Sequence, residues 1–188
     1  ARRWVKEPGR GGVRRHTRWF AGPSLVPFLI PAVPLTLVIA QLQAWSGYAG
    51  LPAGVPVVVT ATLEAGAAGV LPTLEGAGVD VMGPPRYFPT LGDIPWRVVP
   101  RTTGATSLRV VFPTGVVVEK SLVVATGGEV MRRSPVRERA SLLGQLLYPS
   151  EPPIDDGAGI AAIRVPYPDR LLPVAGQSWH WLYVYLLL

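Results

Sequence analysis

The sequence predicts a mainly β chain: a small immunoglobulin-like antiparallel sandwich anchored by an N-terminal transmembrane helix. Three observations predict it. An uncharged run from Phe20 to Leu42 is longer than the about 20 residues a helix needs to cross a hydrocarbon core. Past residue 55 the apolar pattern changes to short β-branched runs punctuated by turn residues. The 21 glycines and 21 prolines favour strands and turns over a helical bundle.

Residues 1–18 form a basic arm. Arg2, Arg3, Lys6, Arg10, Arg14, Arg15 and Arg18 face only Glu7, and seven minus one is the whole net charge of +6. The rest of the chain is therefore formally neutral. A nucleic-acid face would need its cations on the folded domain, so that class is excluded. Cations beside the start of an apolar helix instead mark its cytoplasmic side and attract anionic lipid headgroups. The apolar run also exceeds the 7 to 15 residues typical of a cleavable signal.

The transmembrane helix is assigned to residues 19–45, with Trp19 and Trp45 at its two ends where interfacial rings belong. Pro23, Pro27, Pro31 and Pro34 share one face and predict a kinked or loosened helix. Carbonyls freed in lipid need partners, which hints at neighbouring membrane helices. A buried helix of a soluble protein is the alternative.

The sandwich is assigned to residues 50–126. Its strands are read at 55–63, 79–88, 94–99, 107–112 and 116–125, with Pro113-Thr114-Gly115 as a hairpin link. Alternation in 94–99 sends Trp96 inward as the central core aromatic. Residues 132–148 read as an amphipathic helix capped at Ser134, with Pro135 at its first position. It packs on the sandwich or lies along the membrane interface. Residues 149–178 give a loop and one more strand at 160–167. The aromatic-rich 179–188 reads as the start of a second transmembrane helix.

Several of these stretches resemble a group of bacterial multi-pass membrane proteins with no assigned activity. The likeness rests on 19–63, ending GYAGLPAGVPVVVTATL, and on 94–124. It rests also on LLGQLLYPSEPPI at 142–154, and on IRVPYP followed by WHWLYVYLLL. It implies a β-sandwich outside the cytoplasm between membrane helices, although the outer helices of that group have no counterpart here. It implies no catalytic residue.

Chemistry is sparse. His16 belongs to the arm. His180 lies between Trp179 and Trp181 and is a weak candidate ligand for a haem or chlorophyll-type pigment. Adjacent Asp155 and Asp156 diverge, Gly127-Gly128 fits no phosphate-binding pattern, and cysteine is absent. No catalytic residue, metal or cofactor is assigned. Arg86, Tyr87 and Phe88 in the GPPRYFPT loop are the partner-binding candidates, because flanking prolines limit the entropy lost on docking. The expected function is a non-catalytic accessory subunit of a larger integral membrane complex, for which a photosynthetic or respiratory assembly is one setting. Its arm would be cytoplasmic and its sandwich periplasmic, at the inner membrane. The alternative is a membrane-tethered module that binds a ligand or cell-wall component.

Overall fold

The computed structural model describes residue 27 and residues 30–187, apart from 68, 70, 126–131 and 148–149. The chain falls into two units, residues 1–38 and 39–188. The basic arm and the first turns of the expected transmembrane helix lie outside the described residues. Within the first unit, residues 30–38 are helical, and Ile30, Val33, Leu35 and Val38 are exposed. Thr36 returns its hydroxyl to the Ala32 carbonyl at 2.8 Å, so its polar atom stays satisfied along the helix. Among the described residues, no helix is long and apolar enough to cross a membrane. The helical residues 39–42 run into a π-turn, Gln43–Gly47, so the loosening expected at the prolines occurs beyond them.

The second unit is mainly β, and all its strand pairs are antiparallel. In chain order the strands are β1 (Val57–Leu63), β2 (Thr73–Gly76), β3 (Val79–Met82), β4 (Asp93–Pro100), β5 (Gly104–Val111), β6 (Val117–Val124), β7 (Val136–Glu138) and β8 (Ile160–Arg164). They form a five-stranded sheet, β3-β4-β1-β8-β7, and a three-stranded sheet, β2-β5-β6. One apolar cluster joins them. Val59, Ala61, Ile94, Trp96 and Val98 come from the first sheet, and Leu108, Val110, Val118 and Leu122 from the second. Trp96 is buried, as its alternation predicts.

Register gives the domain two ends. Leu51, Pro100, Gly104, Val124 and Arg164 gather at a basal end beside the π-turn. Leu63, Gly92, Val111, Val117 and Ile160 gather at a distal end.

Three sequence expectations change. The helix read over 132–148 is mostly not helical. Among the described residues, 132–134 belong to no helix or strand, Val136–Glu138 is β7 paired with β8, and only Leu142–Leu147 (α1) is helical. Ser134 does not cap a helix; it is buried, and its hydroxyl donates to the Val136 carbonyl. The cap is Ser141, whose Oγ accepts the Gly144 N–H at 2.9 Å. Pairing with β8 outweighs an apolar periodicity that Gly144 already weakens. Leu142 and Leu143 of α1 are exposed.

The second change is at 179–188. Leu171–Val174 (β9) and Gln177–His180 (β10) form a hairpin, and only Trp181–Leu187 (α2) is helical; residue 188 lies outside the described residues. The turn residues Ala175 and Gly176 have φ of 51° and 79°, the two left-handed positions of a tight two-residue hairpin. Alanine there gives no sequence signal for such a turn.

Third, the run read at 79–88 stops at Met82, and Tyr87 and Phe88 belong to a loop. The domain also does not close at residue 126. β8 pairs with β1 and inserts a later part of the chain into the middle of the larger sheet.

Candidate interaction site

The loop after β3 caps the distal end. Gly83 turns the chain at φ 79°, and the segment then folds into a tight turn from Phe88 to Asp93. Phe88 N–H donates to the Asp93 carbonyl at 2.9 Å, and the Leu91 and Gly92 N–H groups donate back to the Phe88 carbonyl. Gly92, at φ 69°, sends its carbonyl to the Leu63 N–H at 2.8 Å, which ties the turn to β1. These local bonds fix where the three candidate side chains go. Tyr87 is half-buried and packs against the core, Arg86 is exposed, and Phe88 keeps 47% of its surface in solvent. The structure therefore divides the trio. Tyr87 closes the core, while Arg86 and Phe88 face outward. Leu91, 68% exposed on the same turn, joins them, and the sequence reading passed over it.

His180 ends β10. Its ring meets Tyr183 edge-on at 6.2 Å, and its Nδ1 accepts the Leu182 N–H at 3.3 Å. That bond leaves Nε2 as the nitrogen able to meet a ligand. Among the described residues, no cluster of three or more His, Cys, Asp or Glu side chains could hold a metal. Asp156 is held by Arg139, whose Nε donates to Oδ1 at 2.9 Å, and so turns away from Asp155.

The sequence reading missed the most buried charge. β6 alternates with its even positions inward, and Lys120 is one of them, fully enclosed. Its ammonium donates to the Ser134 carbonyl at 2.7 Å and to the Glu151 carboxylate. Burial pushes the Lys120 amine below its ordinary value, and the facing Glu151 opposes that shift. In β6 the alternation that buries Val118 and Leu122 also buries Lys120. What it lacks is any hint of the partner, 31 residues away.

Lys120 belongs to a wider arrangement that covers the free edge of β6. Glu151 accepts the Ser121 N–H at 2.6 Å, and Arg137 donates to the Glu119 carbonyl. The Tyr167 hydroxyl accepts the Val123 N–H at 2.9 Å, and Leu51 exchanges backbone bonds with Val123 and Ala125. An uncovered edge strand is a template for pairing with other chains, and here side chains from distant segments occupy it. Among the described residues, the start of β6 lies beside a groove of about 400 Å³ lined by Val117, Glu119, Arg137, Ile154 and Asp155.

No known protein family, curated protein or solved structure matches this chain.

Proposed function

We propose that the protein is a non-catalytic accessory subunit of an integral membrane complex. In this reading a transmembrane helix within residues 19–45 anchors it, and an immunoglobulin-like sandwich outside the cytoplasm meets the partner subunits. The observation that carries the reading is the uncharged helical segment 30–38, which shows Ile30, Val33, Leu35 and Val38 to its surroundings. Exposed apolar residues in an uncharged helix fit a lipid or protein environment better than water.

Strand order supports the sandwich. Taking β1 as strand B, the chain runs B to G as β1 to β6, with β3-β4-β1 as D-E-B and β2-β5-β6 as C-F-G. β8 then takes the place of strand A. The distal turn carrying Arg86, Phe88 and Leu91 is the docking surface, because an exposed aromatic beside an arginine is the composition that anchors interfaces.

Two measurements test this. The native chain has no cysteine. Thr114→Cys should react with an impermeant thiol reagent in intact cells, and Gly11→Cys should react only after lysis; the reverse pattern overturns the topology. The double variant Phe88→Ser, Leu91→Ser should lose copurifying membrane subunits. Unchanged copurification rejects the distal turn as the docking surface. The second reading, a ligand- or cell-wall-binding module, is favoured by the groove beside β6. Retention of a glycan or small ligand at Val117 and Asp155 would replace the first reading.

A further inference from the structure

Among the described residues, no further strand pairs with the β9–β10 hairpin, and each of its faces keeps exposed apolar residues. Val174 and Trp179 lie on one, at 41% and 38% exposure, and Leu171 and Pro173 lie on the other, with Leu171 at 55%. A lone two-stranded hairpin is marginal in water, and this one carries no charge anywhere from Leu171 to Leu187. It is nevertheless tied to its domain. Arg170 N–H donates to the Gly47 carbonyl at 2.8 Å, and Trp181 Nε1 donates to Gln43 Oε1 at 2.8 Å. Near its root Arg132 and Arg170 are half-buried, while Arg133 is buried and donates to the Tyr48 carbonyl at 3.0 Å. The Arg132 guanidinium lies 5.9 Å over the Trp45 ring, which is itself 44% exposed. α2 continues the same character, with Tyr183, Tyr185, Leu186 and Leu187 exposed.

We propose that the β9–β10 hairpin lies in the headgroup layer of a bilayer, as a membrane-seating element of the sandwich. The proposal rests on the membrane reading above and adds to it a surface and an occupant. A partner presenting a single flat surface would cover one face of the hairpin and leave the other in water. A lipid layer surrounds both faces at once. The hairpin does not go deeper, because its outer backbone N–H and C=O groups have no strand to pair with and need hydration. Tryptophan and tyrosine above aliphatic tips, with arginines at the root, suit the boundary between acyl chains and anionic headgroups.

The test uses the full chain reconstituted into phosphatidylcholine–phosphatidylglycerol vesicles. Flotation first reports whether the chain is membrane-bound at all, which is the earlier reading. An environment-sensitive fluorophore is then placed at Val174→Cys, at Leu171→Cys on the opposite face, and at Thr114→Cys on the distal hairpin. Nitroxide-labelled lipid should quench positions 171 and 174 several-fold more strongly than position 114, and aqueous iodide should show the opposite order. A chain that floats while iodide reaches 171 and 174 overturns the hairpin proposal and leaves the anchor intact. Quenching on one face alone, or shielding of both from lipid and iodide, also overturns it, in favour of a covering protein.

Discussion

The distal turn and the covered edge of β6 solve the same problem by opposite means. Each must satisfy backbone groups that no neighbouring strand reaches. The turn does so locally, within Phe88–Asp93, and its bonds span no more than five residues apart from the tie to Leu63. The β6 edge recruits Arg137, Glu151, Tyr167 and Leu51 from both sides of the chain. A local turn leaves its side chains free, which is how Phe88 and Leu91 come to be exposed. A long-range closure uses up its side chains, and Lys120, Glu151 and Tyr167 have nothing left to offer a partner. The first region suits recognition, and the second suits stability.

Substitutions at the two regions should therefore separate stability from binding. The largest effect belongs to Glu151→Ala, which leaves the enclosed Lys120 ammonium without its counter-charge. It should lose about 3–5 kcal/mol in denaturant unfolding followed by tryptophan fluorescence. Lys120→Met combined with Glu151→Leu should recover most of that loss. If the double variant is as weak as the single, the edge depends on the Ser121 bond to Glu151 and not on the ion pair. Next comes Tyr167→Phe, which removes the acceptor of the Val123 N–H and should cost about 1–3 kcal/mol.

The pH dependence distinguishes the same two groups. The unfolded Lys120 holds its proton up to its ordinary value of 10.5, and the folded one releases it earlier. The unfolded state thus binds more protons in that window, so stability rises with pH towards 10.5. Tyr167 acts in the other direction. Burial pushes its hydroxyl up from 10.0 to about 12, so the folded state keeps a proton that the unfolded state loses, and stability falls across that interval. Lys120→Met should flatten the rise, and Tyr167→Phe should flatten the fall. Persistence of either slope in its variant assigns it to another group.

The smallest stability effect is expected at the distal turn. Phe88→Ser with Leu91→Ser should cost about 1 kcal/mol, since Phe88 is 47% and Leu91 68% in solvent. Tyr87→Ser should cost clearly more, because Tyr87 packs on the core. Equal effects of the two changes would mean that the turn does not divide inward Tyr87 from outward Phe88.

Much of the sheet arrangement was legible because strands advertise themselves locally. Alternation located Trp96 on an inward face, and Pro113-Thr114-Gly115 marked the β5–β6 hairpin. Weak local signals were misread. β2 is short and holds Glu75 and Gly76, the β9–β10 turn uses alanine, and the 132–148 periodicity yields only the short helix Leu142–Leu147. Prolines marked the 83–90 loop in the sequence, but which of Arg86, Tyr87 and Phe88 faced outward depended on the bond between Phe88 and Asp93.

By itself the sequence determined the inward face of Trp96, the Pro113-Thr114-Gly115 turn and the placement of the whole net charge in the first 18 residues. These are properties of neighbouring residues, and neighbours are what a sequence displays. Tertiary structure alone decided that β8 should insert beside β1, that Val136 should extend rather than coil, and that Glu151 should face Lys120. Each choice joins segments tens of residues apart. Its free energy comes from pairing backbone groups and from the attraction between a buried charge and its partner that offsets the cost of taking both out of water, and neither contribution exists until both segments are in place.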